Sequence, residues 1–488
     1  MFFQKRSDVI FRDYGSFGYI TDNRNFDYRK TNNDDQYIGD RVLSESGVVF
    51  FSVLEKKPKN IDLLAIEIKD KFDDVSIDLI LRDLKDFYST LEDDGFVVSG
   101  KTALECKSKD FKFSYSALET TPSTFDAKKN NYPNKHTQEF LDEYFNGDPQ
   151  LTSVHIEITS KCNERCIHCY LPHEDKVKSI DSSLFYSILE QCRKMNVLHL
   201  TISGGEPMLH KDFCDFLKKC NEYEFSVSLL SNLTLLDEET LKEMKKNPLL
   251  GVQVSLYSMN PLIHDEITKR KGSFEKTKKA ILQLIESDIP LQISCPIMQQ
   301  NKDCYRDVVL WAKKHNVHAS DDYVIIARHD HSIENLSCRL SPSDVKGIIK
   351  SKINNDTDYL IRMRQDFSKK KEITGDDFVC SVCSSSICIT ESGDVYPCAG
   401  WQSYVISNVK ERKLHDIWLN SDKINYLRNL RKHSFPKCLK CKNKDFCTMC
   451  MVRNANESLT GNPLEINSYF CHLTDFAREC IFSGEDCI

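Results

Sequence analysis

Between residues 151 and 330 short apolar runs alternate with amphipathic segments, and that alternation leaves few folds open to the chain. VHIEIT (154–159), VLHLTIS (197–203), FSVSLLS (225–231), GVQVSLY (251–257), PLQISCPIM (290–298) and DYVIIAR (322–328) have the length and β-branched content of strands. SLFYSILEQCRKM (183–195) and FEKTKKAILQLIES (274–287), between them, carry apolar residues at helical spacing. A crossover helix returns the next strand in the same direction, so repeated units of this kind build a parallel sheet. Six units predict an α/β fold with a partial (β/α)6 TIM barrel at 151–330, two units short of the closed form.

The 488 residues exceed one ordinary domain, and the flanks read differently. Residues 1–100 look like a compact, winged-helix-like α+β unit. VIFRDY (9–14) and FGYIT (17–21) read as a hairpin about Gly15-Ser16, DRVLSE (40–45) as a third strand and FVVSG (96–100) as the last. The clearest of three helices starts at a Ser76 cap and sets Ile77, Ile80, Leu81, Leu84, Phe87, Tyr88 and Leu91 on one face. Residues 101–150 are polar and patternless, a linker with one short helix near 137–146. A helical bridge is expected over 331–377. From 378 to 488 the chain is turn-rich and cysteine-rich, with so little apolar core that metal centres are expected to hold it.

The opening MFFQKRSDVIFRDYG is charged too early for a secretory signal. No apolar run reaches the roughly 20 residues of a membrane span. A net charge of −7 argues against nucleic acid as a partner. A soluble cytoplasmic protein is expected, in a compartment where thiols stay reduced, so the 21 cysteines point to metal or cluster ligation. Twelve are grouped, three near residue 165, four between 380 and 398 and five between 438 and 471; the scattered ones are expected to be small buried hydrophobes.

ITSKCNERCIHCY places Cys162, Cys166 and Cys169 with three and then two residues between them, directly after the first strand. Three thiolates on one loop suit a [4Fe–4S] cluster with one iron left open, and barrel chemistry sits at the C-terminal ends of strands. Zinc, with His168 as a fourth ligand, is compatible with this segment alone. ISGGEP (202–207) ends the second strand, its two glycines allowing close backbone approach to a ligand. Together the trio and ISGGEP resemble the radical S-adenosylmethionine (radical SAM) superfamily, over roughly 150–330. The resemblance implies that Cys162, Cys166 and Cys169 hold the catalytic cluster and that its open iron takes the amine and carboxylate of S-adenosylmethionine. It assigns the amine contact to Gly204, Gly205, Glu206 and Pro207. Ser231 and Asn232 after the third strand, Ser255 after the fourth, and Tyr170 beside the last cysteine are further expected cofactor contacts. The family usually carries an aromatic residue just before the last cysteine; here His168 stands there.

Cys380 is followed by twelve residues, Gly393, four more residues and Cys398; then come Cys438, Cys441, Cys447 and Cys450 with gaps of two, five and two, and finally Cys471. This run resembles the SPASM domain of many radical SAM enzymes, over about 378–475. The resemblance implies two auxiliary [4Fe–4S] clusters, three in all. Cys438, Cys441, Cys447 and Cys471 would hold the outer one; Cys380, Cys398 and Cys450, with Cys383 or Cys388, the inner one. Paired zinc sites are the alternative for such a run taken alone.

The N-terminal unit resembles a RiPP recognition element, the leader-binding domain of enzymes that modify ribosomal peptides. Residues 55–99 carry 12 acidic against 7 basic side chains, which disfavours DNA as the ligand. A leader peptide would add to the edge strand at 40–45 beside the helix 76–92, with Arg41, Leu43, Lys85 and Tyr88 as candidate contacts. The expected protein is a radical SAM maturase of a precursor peptide, drawing electrons from a flavodoxin or ferredoxin and abstracting hydrogen through a 5′-deoxyadenosyl radical. A cysteine thioether is the leading product. Carbon–carbon or ether crosslinking, epimerisation with Cys295 or Cys304 as hydrogen donor, a sulfatase-type maturase and a zinc-stabilised peptide-binding protein are the alternatives.

Overall fold

A computed structural model describes the chain except residues 25–28, 31–37, 73–74, 111–114, 117–136, 146, 357–358, 362, 365–372 and 483–488. Its centre is a parallel sheet of six strands in sequence order: β1 (Ser153–Thr159), β2 (His199–Gly204), β3 (Ser226–Ser231), β4 (Gly251–Ser255), β5 (Leu291–Ser294) and β6 (His318–Ser320). One face of every strand is apolar and packs under the helices; Val154, Ile156, Leu200, Ile202, Leu229, Val252, Val254 and Ile293 are fully buried there. The alternate positions Thr201, Ser228, Gln253, Ser255, Gln292 and Ser294 are polar and half-buried. A closed barrel fills that side with apolar layers; here it stays polar.

Five strands fall where the pattern put them, and the sixth does not. The expected strand at 322–328 is extended chain outside any ladder, and the sheet ends instead on His318–Ser320. Ile325 and Ala327 are buried, as their hydrophobicity requires, but side chains rather than a neighbouring strand satisfy the carbonyls. Arg339 Nε donates to Ile325 O, Asn335 Nδ2 to Ile326 O and Asn456 Nδ2 to Ala327 O.

The open edge beside β1 is closed by the cysteine-rich region. Ser386–Ile389 runs parallel to β1, with Ile387 opposite Val154 and Cys388 opposite His155, and the sheet continues antiparallel through Asp394–Tyr396 and Ser407–Asn408. This region has more core than expected: Trp401, Ile417, Trp418, Ile424 and Leu427 are buried in the same apolar cluster as the barrel. Pro342–Asn355, in the expected helical bridge, opens on a capping box between Ser341 and Asp344.

In the N-terminal unit Ile10–Asp13, Gly18–Thr21 and Asp40–Leu43 form one antiparallel sheet, with Phe11 opposite Ile20 and Ile20 opposite Arg41. The last strand, Val97–Gly100, belongs to a second sheet with Phe2–Lys5 and Lys59–Asn60, and Arg29–Lys30 pairs with Tyr115–Ser116 in a two-stranded ribbon. The three helices are Glu45–Ser52, Ile61–Lys69 and Ile77–Asp93; Ser76 caps the last by accepting from Leu79 N. That helix buries Ile80, Leu84, Tyr88 and Leu91 and leaves Ile77 exposed. The unit runs past residue 100, since the helix Ala103–Ser108 packs so closely that a Cβ on Gly100 would lie 2.3 Å from Cys106 N. The short helix in the linker spans Thr137–Phe145.

Arg12 ties this unit to the barrel. It is fully buried and donates through Nε to Val197 O at 2.9 Å, through Nη2 to Glu224 O at 2.6 Å and through Nη1 to Phe11 O at 2.8 Å. Lys5 adds an ion pair to Glu224 at 2.7 Å. Arg12→Ala strands two barrel carbonyls and is expected to cost about 3 kcal/mol, read as a shift in the denaturant midpoint.

Candidate active site

The cysteine trio lies on the loop that leaves β1. Glu164 N donates to Cys162 Sγ at 3.5 Å, Cys166 Sγ to Glu164 Oε2 at 3.5 Å and Lys176 Nζ to Cys169 Sγ at 3.3 Å. Burial pushes the Cys162 thiol up to about 11. It pushes Cys166 well above its ordinary value, with Glu164, Cys169 and Cys162 adding to the effect. The three thiols therefore sit within electrostatic reach of one another, with Lys176 on Cys169 Sγ and Arg165 Nη1 donating to Cys162 O at 2.7 Å. Among the described residues no three His, Cys, Asp or Glu side chains are drawn together as on one metal ion; ligands of a cluster bind separate irons.

ISGGEP is packed against this loop, and both glycines are required by it. A Cβ on Gly204 (φ +136) would lie 2.0 Å from Thr159 O, and one on Gly205 2.2 Å from Lys161 O. The close approach is thus of β2 to the cysteine loop, sealed by Gly205 N donating to Thr159 O and Glu206 N to Lys161 O, each at 2.8 Å. Glu206 is fully buried, and burial pushes its carboxyl up to about 7. It accepts from Met208 N at 3.1 Å, Ser231 Oγ at 2.8 Å and Asn232 N at 2.8 Å. Pro207 opens the short 3-10 turn Pro207–Leu209 that follows.

The structure brings most of the expected contacts to this strand end, several of them with partners inside the protein. The Ser231 hydroxyl is engaged by Glu206. Asn232 Nδ2 donates to Asn163 Oδ1 at 2.9 Å, joining the third strand end to the cysteine loop. Ser255 is half-buried at the end of β4. Tyr170 turns inward and donates to Glu157 Oε1 at 3.0 Å. His168 occupies the aromatic place, its Nε2 3.3 Å from Tyr257 Oη and its ring edge-on to Tyr257 at 5.1 Å. Its Nδ1 is buried without a partner, and burial lowers its pKa to about 4.

Asn163, Lys176, Glu157 and Gln402 belong to the site and were missed. Glu157 is 1% exposed and holds Tyr170 on one oxygen and Gln402 Nε2 on the other, at 2.7 Å. Burial pushes it up to about 7. The one acid in the strand VHIEIT was the signal that could have found it.

The other cysteines separate into two groups. Cys438 feels Cys447, Cys471 and Cys441, and Cys471 feels Cys447 and Cys441. Cys380 feels Cys450 and Cys398. A cavity of about 560 Å³ lies between Cys438, Cys447 and Cys471 on one side and Ser320–Val324 on the other. Of the scattered cysteines, Cys106, Cys192, Cys220, Cys295, Cys338 and Cys480 are buried, Cys214 and Cys304 are half-buried, and Cys487 lies outside the described residues.

The candidate peptide contacts divide. Arg41 pairs with Asp94 and keeps a quarter of its side chain exposed, and Lys85 is exposed. Leu43 and Tyr88 are core residues instead: Leu43 is 2% exposed, and Tyr88 is fully buried with its hydroxyl on Phe50 O at 2.8 Å. The apolar face that made them candidates is consumed by the unit's own core.

Residues 156–312 match the Radical SAM superfamily, and residues 380–442 match the SPASM iron-sulfur cluster-binding domain. The chain carries a Radical SAM domain and a SPASM domain. Both domains imply iron–sulfur clusters and S-adenosylmethionine. Three thiols on one loop, an unpartnered His168 Nδ1 and a strand end sealed onto that loop fit such a group. The AdoMet-dependent heme synthase of Methanosarcina barkeri is 25% identical over 64% of this radical SAM chain and 94% of its own. The antilisterial bacteriocin subtilosin biosynthesis protein AlbA of Bacillus subtilis is 30% identical over 31% of this chain and 35% of its own. The crystal structure of Streptococcus suis SuiB bound to precursor peptide SuiA aligns over 96% of this chain and 99% of that one, at a TM-score of 0.61 and 14% identity. That match extends the shared fold across the N-terminal unit. No helix among the described residues is long and apolar enough to cross a membrane.

Proposed function

We propose that this radical SAM protein matures a ribosomally made precursor peptide, and that its leading product is a thioether from a peptide cysteine to a peptide carbon. The observation that carries the reading is the sheet edge at Asp40–Leu43, on a unit locked to the barrel by Arg12. An edge strand offers its backbone to an incoming extended segment, and Arg41 and Lys85 are the accessible charges of the unit's candidate contacts. SuiB, described with a precursor peptide bound, and AlbA, described as a bacteriocin biosynthesis protein, support the same substrate class.

Three clusters are proposed, on Cys162/Cys166/Cys169, on Cys438/Cys441/Cys447/Cys471 and on the inner group around Cys380, Cys398 and Cys450, with a flavodoxin or ferredoxin as electron donor. The first of them, reduced and carrying S-adenosylmethionine, supplies an oxidant strong enough to take a hydrogen atom from an unactivated carbon. The chain's own residues position it. Lys176 sets a positive charge on Cys169, and Glu206 braces β2 against the end of β3. The His168–Tyr257 pair walls the loop on the side of β4. The polar side of the sheet, Gln253 to Ser294, gives a peptide backbone hydrogen-bonding groups that an apolar barrel lumen lacks.

Coexpression with a cysteine-bearing precursor tests this. A loss of two hydrogens together with loss of one alkylatable thiol is the expected result. Loss of two hydrogens with the thiol retained gives carbon–carbon or ether crosslinking, and deuterium uptake from solvent without crosslinking gives epimerisation. Arg41→Glu is expected to weaken leader binding about tenfold, or about 1.4 kcal/mol, by calorimetry. Unaltered binding removes the edge at 40–43 as the docking site.

A further inference from the structure

Among the described residues, none supplies an anion to the guanidinium of Arg428. Its Nε donates to Cys383 O at 2.7 Å, its Cζ lies 4.3 Å over the Trp418 ring, and its Nη2 is buried with no hydrogen-bond partner. The residue is half-buried, and a charged donor such as its Nη2, buried without an acceptor, is unfavourable. Its place in the fold therefore calls for an anion where Cys383 stands.

Cys383 is held in a conformation that side chains avoid. Its φ is +57°, in the left-handed region, fixed by its N–H donating to Ser386 O at 3.0 Å and by the bridge between Val382 and Ser386. Such strain persists where the surroundings over-determine it, and it collects at functional sites. The side chain is fully buried, in the apolar cluster against which Cys380, Cys398 and Cys450 pack. Cys388 is placed differently. It sits inside the strand Ser386–Ile389, opposite His155 and Tyr396. Its neighbours on that strand, Ile387 and Ile389, pack into the apolar core while Cys388 does not.

We propose that Arg428 is the charge partner of the inner cysteine group, raising the reduction potential of a cluster held by Cys380, Cys383, Cys398 and Cys450, with Cys388 outside the ligand set. This rests on the reading of that group as a cluster site. A [4Fe–4S] unit with four thiolates is a buried anion that gains another negative charge on reduction. Nearby cations and hydrogen bonds to its sulfurs are the levers by which a protein sets its potential.

The test is a redox titration of the reconstituted full-length protein, followed by electron paramagnetic resonance. In Arg428→Gln one cluster signal moves to a more negative potential, the other two hold, and iron content is unchanged; Arg428→Lys recovers part of the shift. A lowered melting temperature with all potentials at their wild-type values makes Arg428 a packing residue and overturns the proposal. Cys383→Ser alters the spectrum of the same cluster, while Cys388→Ser leaves iron and all signals intact; the reverse pattern overturns the ligand assignment. Zinc in the wild-type protein, or iron for two clusters only, defeats the cluster reading of the inner group itself. If Arg428→Gln loses its iron, Arg428→Lys decides alone: its potential must lie away from wild type, and an unmoved one overturns the proposal.

Discussion

Cys166→Ala is expected to abolish the release of 5′-deoxyadenosine from S-adenosylmethionine and to remove the iron of one cluster, about four atoms per chain. Cys166 is the member of the trio whose ionisation is opposed by the most neighbours: burial first, then Glu164, Cys169 and Cys162. Without metal, three thiolates on this loop would face each other and Glu164, with Lys176 the cation on a trio sulfur to offset them. Metal ligation would make the deprotonated trio stable, since ligand thiols give up their protons to bind. Removing one of three ligands leaves too few to retain a cluster that must also keep an iron free. Iron and sulfide analysis with chromatography of the nucleoside product measures both effects. Cys304→Ser, at a half-buried position with Ser258 Oγ 3.3 Å from its sulfur, is the control and should change neither. Full iron retention in Cys166→Ala removes the trio as the ligand set.

The contrast between Cys166 and Leu43 shows how far the sequence could be read. Cysteine spacing is local, so the trio, its loop and the strand before it were legible without any tertiary information. The two SPASM groups were legible for the same reason, as a long run of fixed gaps. What depended on contacts across the chain was not. Leu43 and Tyr88 look like groove residues in a list of apolar positions, and only packing decides that the unit's own core claims them. DYVIIAR has strand composition, yet Arg339, Asn335 and Asn456 reach its carbonyls from distant segments and no partner strand forms. The pairing of Ser386–Ile389 with β1 joins segments more than two hundred residues apart, beyond any local pattern. Glu157 was the exception that could have been seen, because a carboxyl among strand hydrophobes needs a partner wherever it is buried.

Gly205→Ala is the substitution with the next largest expected effect, although it removes no functional group. The added Cβ would stand 2.2 Å from Lys161 O and 2.6 Å from Ser160 O. Both obstacles are backbone, so no rotamer change relieves the clash; the cysteine loop or the end of β2 must move. Overpacking of this kind costs about 1–3 kcal/mol. The functional loss is larger than that figure suggests, because the displaced atoms lie one residue before Cys162. The two hydrogen bonds that seal the junction, Gly205 N to Thr159 O and Glu206 N to Lys161 O, break together. Glu206 then shifts against Ser231 and Asn232 N, so the ends of β2 and β3 lose their mutual register. The expected outcome is a protein that folds with a lowered melting temperature, loses iron from the first cluster on desalting, and no longer binds S-adenosylmethionine by calorimetry. Gly347→Ala is the matched control: it lies in the helix Pro342–Asn355 with nothing within 4 Å of the new Cβ, and it should stabilise by about 0.5–1 kcal/mol. Equal behaviour of the two variants would mean that the junction of β2 with the cysteine loop does not hold the site.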